Sequence, residues 1–484
     1  MTRDELHRGV AWVGVATAMV ALCDLVAFVI IVRHWVTVEE LGVVTMAVTV
    51  FGALQLAVEA GLPAAVVQRP ALEEDPRRLS TIFWLGLGFG VAAYAIVWSI
   101  APLVARLYDR PIMASLYRTV GLLLLVRPLY TTHNALLRSA KRFEAMSKVR
   151  IVANIVELVV KIGTAAWLGL WCFAIAPVAR ELTYAIGIPL QRIKETRWRP
   201  VRAFELRRIT ADLRYGRRVS AGELLYQIYS NADYQVVGIF FGEAAVGFYR
   251  AAYELVLEPV RFISGVVTSV AHPVFRDLAS DRPALIDQLV AFTRQNAIVV
   301  LMFVGVIVVS ADDLLTVLVK PEYAAAATAA RILAIVGVLR CLSLLGPPLL
   351  DGLGRPGRSL RYHVVAAVTL GTAYLACGAA GTTYNAIAVA WALGYPIAFA
   401  ALAYMVLARL ELPATEYLRR LAPVAGAIAV AVVCGFAARI AGSSLAPLPR
   451  LLVSTSVLIG TGLALLARYA GFSPRAIVHS LRRR

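Results

Sequence analysis

The sequence predicts an all-α polytopic membrane protein of about fourteen transmembrane helices, in two parallel six-helix lobes related by pseudo-two-fold symmetry, plus two C-terminal helices. Three observations predict it. Of 484 residues, 60% are hydrophobic and 16% charged, with a mean hydropathy of +0.73, which is more apolar surface than a water-soluble domain buries. The basic residues collect in alternate loops between the apolar runs. Two stretches of the first half also recur in the second at nearly constant spacing.

Apolar runs long enough to cross a bilayer occupy residues 9–33, 41–66, 81–105, 113–137, 149–168, 169–190, 219–241, 244–271, 287–310, 323–350, 360–380, 383–408, 416–438 and 448–470. The first follows Arg3 and Arg8 as a signal peptide would, but it outruns a signal's apolar region and is expected to remain as a span. Of the 48 Lys and Arg residues, the loops expected outside hold only Arg33, Arg106, Arg110, Lys320, Arg439 and Arg450, so both termini are expected in the cytoplasm. The net charge of +18 follows from the same loop clusters, and no nucleic-acid partner is expected.

This divides the chain into an N-terminal lobe (1–190), a basic cytoplasmic linker (191–218), a C-terminal lobe (219–410), and a final helix pair with a basic tail (411–484). The linker carries ten Lys and Arg. Within it, Phe204, Leu206, Ile209 and Leu213 recur at near-helical spacing among Arg207, Arg208, Arg214 and Arg217, which suits either a helix lying on the membrane surface or a solvated basic linker. In both forms anionic membrane lipids are the expected partner.

The repeat flanks that linker. Arg127, Leu129, Leu136, Leu137 and Arg142 match Arg340, Leu342, Leu349, Leu350 and Arg355 at one constant offset, and Gly42 and Ala47 match Gly247 and Ala252 at nearly the same one. Spans one to six thus pair with seven to twelve. An even number of crossings per half makes the halves parallel rather than inverted.

Ionisable groups inside a span each cost about 2.5–3.5 kcal/mol on insertion scales, so they should face water or a partner. At 100° per residue, single stripes hold Arg127, Thr131, Asn134 and Arg138 on the fourth span and Arg150, Asn154, Glu157 and Lys161 on the fifth. The seventh presents Glu223, Gln227, Ser230 and Tyr234, and the eighth Arg250, Glu254, Glu258 and Arg261. Glu157 with Lys161 and Arg250 with Glu254 stand at i,i+4, so structural ion pairing competes evenly with a ligand-binding role. Arg138 and Arg150 lie near span ends and are expected to snorkel. Arg127 and Arg340 occupy matching positions with no acidic residue one turn away, which suits an anionic solute such as a phosphate, with Glu157 or Glu223 of a neighbouring helix as rival partners.

Other chemistry is not signalled. His7, His34, His133, His272, His363 and His479 are scattered, the five cysteines lie in apolar segments as small packing residues, and no metal site or cofactor is expected. His133 reads as a packing residue. Prolines 102, 128, 177, 259, 347, 348 and 396 interrupt spans as kinks. There is no Walker motif, phosphate-cradling glycine loop or nucleophile elbow, hence no enzyme signature.

One stretch, Asn231-Ala-Asp233-Tyr-Gln-Val-Val-Gly238 with Gly242 and Val246-Gly247-Phe-Tyr249-Arg-Ala-Ala252, resembles the Asp, Gly and Leu-Gly-x-Tyr-x-x-Ala pattern of the polysaccharide transporter family. These are the Wzx-type oligosaccharide flippases of the multidrug/oligosaccharidyl-lipid/polysaccharide exporter superfamily. Val246 replaces the usual Leu. Leu349-Leu350-Asp351-Gly352-Leu353-Gly354-Arg355 is similar to the family's Gly-Arg turn after the tenth span, and Val44 stands where a first-half copy of the pattern would have Tyr.

The resemblance spans essentially the whole chain and implies a flippase of the bacterial cytoplasmic membrane. Such a protein moves polyprenyl-pyrophosphate-linked oligosaccharide outward by alternating access for surface polysaccharide (exopolysaccharide, O-antigen or capsule), with the polymerase and export machinery as further partners. On that reading Arg127, Asn134, Lys161, Arg250, Arg261 and Arg340 form the substrate cavity, while Glu157, Glu223, Asp233, Glu254 and Glu258 balance charge or bind a coupling ion. The alternatives are a multidrug or metabolite exporter of the same superfamily and a non-transporting scaffold for lipid-linked precursors. A membrane glycosyltransferase or polymerase is disfavoured because every loop expected outside is short.

Overall fold

The computed structural model describes residues 3–68, 75–195, 198–353 and 356–469, and among these every regular element is helical. The helices are α1 (Arg3–His34), α2 (Val38–Glu59), α3 (Leu62–Gln68), α4 (Pro76–Leu107), α5 (Ile112–Val126), α6 (Pro128–Ser139), α7 (Phe143–Leu168), α8 (Cys172–Glu195) and α9 (Leu206–Phe241). They continue with α10 (Glu243–Asp277), α11 (Arg282–Leu318), α12 (Ala327–Ser343), α13 (Gly346–Gly352), α14 (Pro356–Ala380), α15 (Asn385–Leu410), α16 (Ala414–Ala441) and α17 (Pro447–Tyr469). Each apolar run of the sequence coincides with one of these helices or with a helix pair. Among the described residues nine helices, or ten with one bent pair, are long and apolar enough to cross a membrane. One of the nine, Phe143–Gln191, joins α7 to α8 through a single-turn 3₁₀ segment. There Gly169 takes φ +51° and the two helices pack on each other, so the expected boundary between the fifth and sixth spans falls at that turn. Helices α1, α9 and α10 have the length but are not among the nine, and α9 and α10 are the ones carrying the polar stripes of the second half.

Local chemistry explains where helices begin and break. Thr37 and Glu40 form a reciprocal capping box at the start of α2. Asp75 caps α4, and Asp281 caps α11, each with proline in the first turn. Pro128, which has no N–H to donate, separates α5 from α6 with a 42° bend. In the second half α12 and α13 part just before Pro347 and Pro348. The leucine pairs that follow, Leu136–Leu137 and Leu349–Leu350, are fully buried in both copies. Arg355 and Gly354, which complete the repeat and the Gly-Arg turn, lie outside the described residues.

Contacts divide the chain into two compact units, residues 1–247 and 248–484. In the first, α9 packs against α2 and α3. Two of its close backbone approaches show why glycine is required. At one, Gly61 (φ +69°) meets the Gly216 backbone; at the other, a Cβ on Gly247 would strike the Val38 carbonyl, which explains why the resembling motif carries glycine there. The 191–218 segment is neither a free surface helix nor a solvated linker where it is described. Residues 198–205 run along the start of α4: the Trp84 indole donates to Val201 O (2.8 Å), Val201 N donates to Ser80 Oγ (3.0 Å), and Glu205 N donates to Thr81 Oγ1 (3.0 Å). The chain then enters α9 directly, and Ile209 is buried with Leu62, Val66, Leu79, Phe83, Leu136 and Trp198. An amphipathic stripe signals only that one face is covered, and here protein rather than lipid covers it at Ile209.

In the second unit α16 and α17 pack on α11 through Val424, Ala427, Ile428, Ala431, Leu458 and Leu466. Helix α11 kinks at Ser310 (φ −129°, ψ 24°), whose hydroxyl meets that of Ser454 at 3.0 Å. Past the kink, Asp312 binds Arg331 and Arg439 (2.6 Å each), and Asp313 binds Arg450 and Arg439. The final helix pair is thereby clamped to α11 and α12 by polar as well as apolar contacts.

Candidate functional site

In the first unit the charges predicted inside spans form two connected groups. At the α5–α6 break, Arg127 Nε donates to Glu59 Oε1 (2.5 Å) and its Nη1 to Gln55 Oε1 (3.0 Å), both from the end of α2. Deeper along α7, Glu157 takes Lys161 (3.0 Å) one turn on and Arg180 (2.9 Å) from α8. Arg180 reaches Glu181 (3.5 Å), which accepts the Tyr130 hydroxyl (2.7 Å), and Lys161 stands 4.0 Å from Asp24 of α1. Asn154 donates to Arg150 O, Arg150 donates to Thr17 Oγ1 (3.0 Å), and Tyr184 stacks on Tyr130. Carboxylates and cations thus alternate across α1, α7 and α8, with the Tyr130 hydroxyl of α6 attached, while Arg127 and Glu59 form a separate pair. Glu157 and Glu181 are nearly inaccessible, whereas the Arg127 and Arg180 side chains keep 28% and 29% of their surface exposed.

In the second unit Arg340 is buried and surrounded differently. It donates to the Tyr253 hydroxyl (3.1 Å) and lies 5.1 Å from the centre of the Trp391 ring. Trp391 packs against Tyr374 and Tyr395, and the Tyr395 hydroxyl meets Ser343 Oγ at 2.6 Å and the Tyr362 hydroxyl at 3.3 Å. On α10 both predicted local pairs form, Arg250 with Glu254 and Arg261 with Glu258 (2.5 Å).

The structure therefore brings Arg127, Lys161 and Glu157 into the first unit's polar interior and gives Arg250, Arg261, Glu254 and Glu258 partners within one turn. Asn134 is half-buried on α6 outside these pairs, Glu223 is exposed on α9, and Asp233 is buried, accepting the Tyr234 N–H. Arg127, read from sequence as lacking a carboxylate partner nearby, pairs with Glu59, which was not among its expected rivals. Sequence reasoning also missed Asp24, Gln55, Arg180, Glu181 and the aromatic residues around Arg340. The adjacent Arg180 and Glu181 in the middle of an apolar run carry the same intramembrane signal as the residues it singled out. His133 packs against Phe83 and Trp198, as a packing residue should. Among the described residues no group of three His, Cys, Asp or Glu is placed to hold a metal ion. Of the basic residues expected outside, Arg110 pairs with Glu243, and Arg439 and Arg450 with the α11 aspartates.

Apolar helices that carry mutually paired charge, with a break in the fourth helix of one half and in the tenth of the other, define a multi-pass helical membrane protein. Its fold is shared with solved structures. A lipid II flippase, MurJ, in an inward closed conformation superposes with a TM-score of 0.76 at 12% identity, covering 94% of this chain and 98% of that one. An inward-facing multidrug resistance MATE family transporter of the MOP superfamily gives 0.63 at 16% identity, covering 82% and 98%. The chain belongs to the polysaccharide biosynthesis protein family, whose profile matches residues 31–328. Among its relatives, the teichuronic acid biosynthesis protein TuaB of Bacillus subtilis is 26% identical over 70% of this chain and 69% of its own length. The lipopolysaccharide biosynthesis protein WzxC of Escherichia coli is 21% identical over 75% and 73%, and the succinoglycan biosynthesis transport protein ExoT of Rhizobium meliloti 24% over 66% and 63%. The resemblance read from the Asn231–Ala252 stretch agrees with these matches.

Proposed function

We propose that this protein moves a polyprenyl-pyrophosphate-linked oligosaccharide from the cytoplasmic to the outer leaflet of a bacterial inner membrane by alternating access, supplying a surface-polysaccharide pathway. The observation that carries this reading is the pairing of Arg127 and Arg180. Each is tied to a carboxylate and still partly exposed at the level of spanning helices. A guanidinium facing lipid would be costly, so these groups face an aqueous cavity, and their forked donors suit phosphate oxygens. Arg127, Lys161, Arg180 and the Arg250 and Arg261 pairs offer exchangeable donors: substrate phosphate displaces one carboxylate oxygen without leaving a bare charge. Glu157, Glu254 and Glu258 then serve mainly to balance charge. Anionic lipids flank the basic loops, and the polymerase and export machinery receive the product.

Purified protein is reconstituted in vesicles holding a labelled lipid-linked oligosaccharide, and its accessibility to an external glycosidase is followed. Protein-dependent exposure of the label is the expected result. Intact substrate that is exposed no faster than in empty vesicles overturns the reading in favour of another cargo or a scaffold.

A further inference from the structure

The linker places unpaired arginines and exposed apolar side chains together at one membrane edge. Residues 198–205 are held on the first turns of α4 by the three hydrogen bonds described above and by Trp198, whose indole reaches Pro76 O. The segment still leaves Val201, Phe204 and Leu206 exposed at 44%, 56% and 47%, next to Trp84 at 37%. Between them stand Arg199, Arg202 and Arg207, all exposed. Their neighbours differ: Arg208 is spent on Asp75 and Glu205, and Arg78 on Asp212. Arg199, Arg202 and Arg207 make no ion pair among the described residues.

Depth decides what covers this patch. Helix α4 has 32 residues and is about 48 Å long at 1.5 Å per residue. The hydrocarbon core is about 30 Å thick, so about 18 Å of α4 lies outside it. The linker lies beside Pro76 to Trp84, about the first 12 Å of the helix, and this end carries Arg77 and Arg78 ahead of the apolar run at 81–105, as the end that meets the headgroups should. Apolar and aromatic groups interleaved with unpaired guanidinium groups at that depth match an anionic phospholipid surface: rings and aliphatic side chains enter the acyl boundary while arginines meet phosphates.

We infer that residues 199–207, with Trp84, form a docking site for anionic phospholipid headgroups, which pin the linker and the start of α9 to the membrane surface. The site is independent of the cargo proposed above, so a failed flipping assay leaves it standing.

The test is hydrogen exchange on the full-length protein in nanodiscs of phosphatidylglycerol or of phosphatidylcholine. Each surface arginine is worth about 1 kcal/mol against an anionic leaflet. Amides of 199–207 should therefore exchange about five-fold slower or more in phosphatidylglycerol. The variant R199Q/R202Q/R207Q should lose that contrast with its melting temperature unchanged, and R358Q/R361Q/R419Q, which removes equal charge from the second unit, should keep it. Phe204→Ser should weaken protection in both lipids. Equal exchange of the unaltered protein in the two lipids overturns the inference. Contrast that survives in the triple variant, or is lost equally in the control, overturns it as well.

Discussion

Arg127 and Arg340 stand at matching places in the two halves, each in the fourth span of its half, yet their surroundings have little in common. Arg127 sits at a proline break between Glu59 and Gln55 and keeps over a quarter of its side chain exposed. Arg340 is 5% exposed, against the Tyr253 hydroxyl and the Trp391 face. One arginine is held by a carboxylate and partly open; the other is buried against a tyrosine hydroxyl and an indole ring. The repeat has thus kept a position and changed its surroundings, with a partly exposed ion pair in the first unit and a buried arginine in the second. The same contrast runs further: α7 and α8 carry Asn154, Glu157, Lys161, Arg180 and Glu181, whereas α15 buries Trp391 and Tyr395.

The comparison is broken most directly at Glu157. Glu157→Ala leaves Lys161 and Arg180 without their shared carboxylate, and should cost about 3–5 kcal/mol, as for other severed buried pairs. Loss of folded protein in detergent and a lower unfolding midpoint would register it; a midpoint equal to the parent's would mean that the network is solvated and that the contrast between the units is false. Arg340→Met should follow at about 2 kcal/mol, the worth of a desolvated cation–π contact. Its transport per folded molecule should be nearly intact, because the arginine serves packing. A folded Arg340→Met protein with transport abolished would instead return Arg340 to the cargo.

Arg127→Gln combined with Glu59→Gln removes both charges of the pair and should change stability by under about 1 kcal/mol. It should still lower transport about tenfold, the worth of one charge-assisted hydrogen bond, as measured in the vesicle assay. Normal transport in that double variant would remove Arg127 from the site. The smallest effect is expected at the helix starts. Asp75→Asn keeps a competent cap on α4 but loses Arg208, whereas Asp281→Asn on α11 loses little, so the two should differ by about 0.5 kcal/mol. Asp75 is partly desolvated, but the Arg78 N–H and the Arg208 guanidinium outweigh this and hold its carboxyl below the usual carboxylate range. The native state therefore gains from its ionised form above the ordinary value, and that gain should fade as pH falls through the lowered one.

The helical, polytopic character was legible because hydropathy is a local property: every residue in an apolar run contributes to insertion wherever its neighbours lie. The i,i+4 pairs Glu157–Lys161 and Arg250–Glu254 were legible for the same reason, since helix geometry alone sets them one turn apart. The linker shows where that stops. Its amphipathic stripe was visible, but whether Ile209 faces lipid or protein depends on α3, α4 and α6, which no local pattern names.

By itself the sequence determined which segments are helical and which of them carry much of the charge that must be answered, but not which prolines break them: α4, α8 and α15 run through Pro102, Pro177 and Pro396, and only Pro128 and the Pro347–Pro348 pair stand at breaks. Only the tertiary structure decided who answers that charge: Glu59 for Arg127, Arg180 for Glu157, Tyr253 and Trp391 for Arg340, Asp313 for Arg450. Insertion energy is summed along one helix, whereas a charge's partner is set by which helices pack side by side and at what rotation, and those choices are made jointly by all of them.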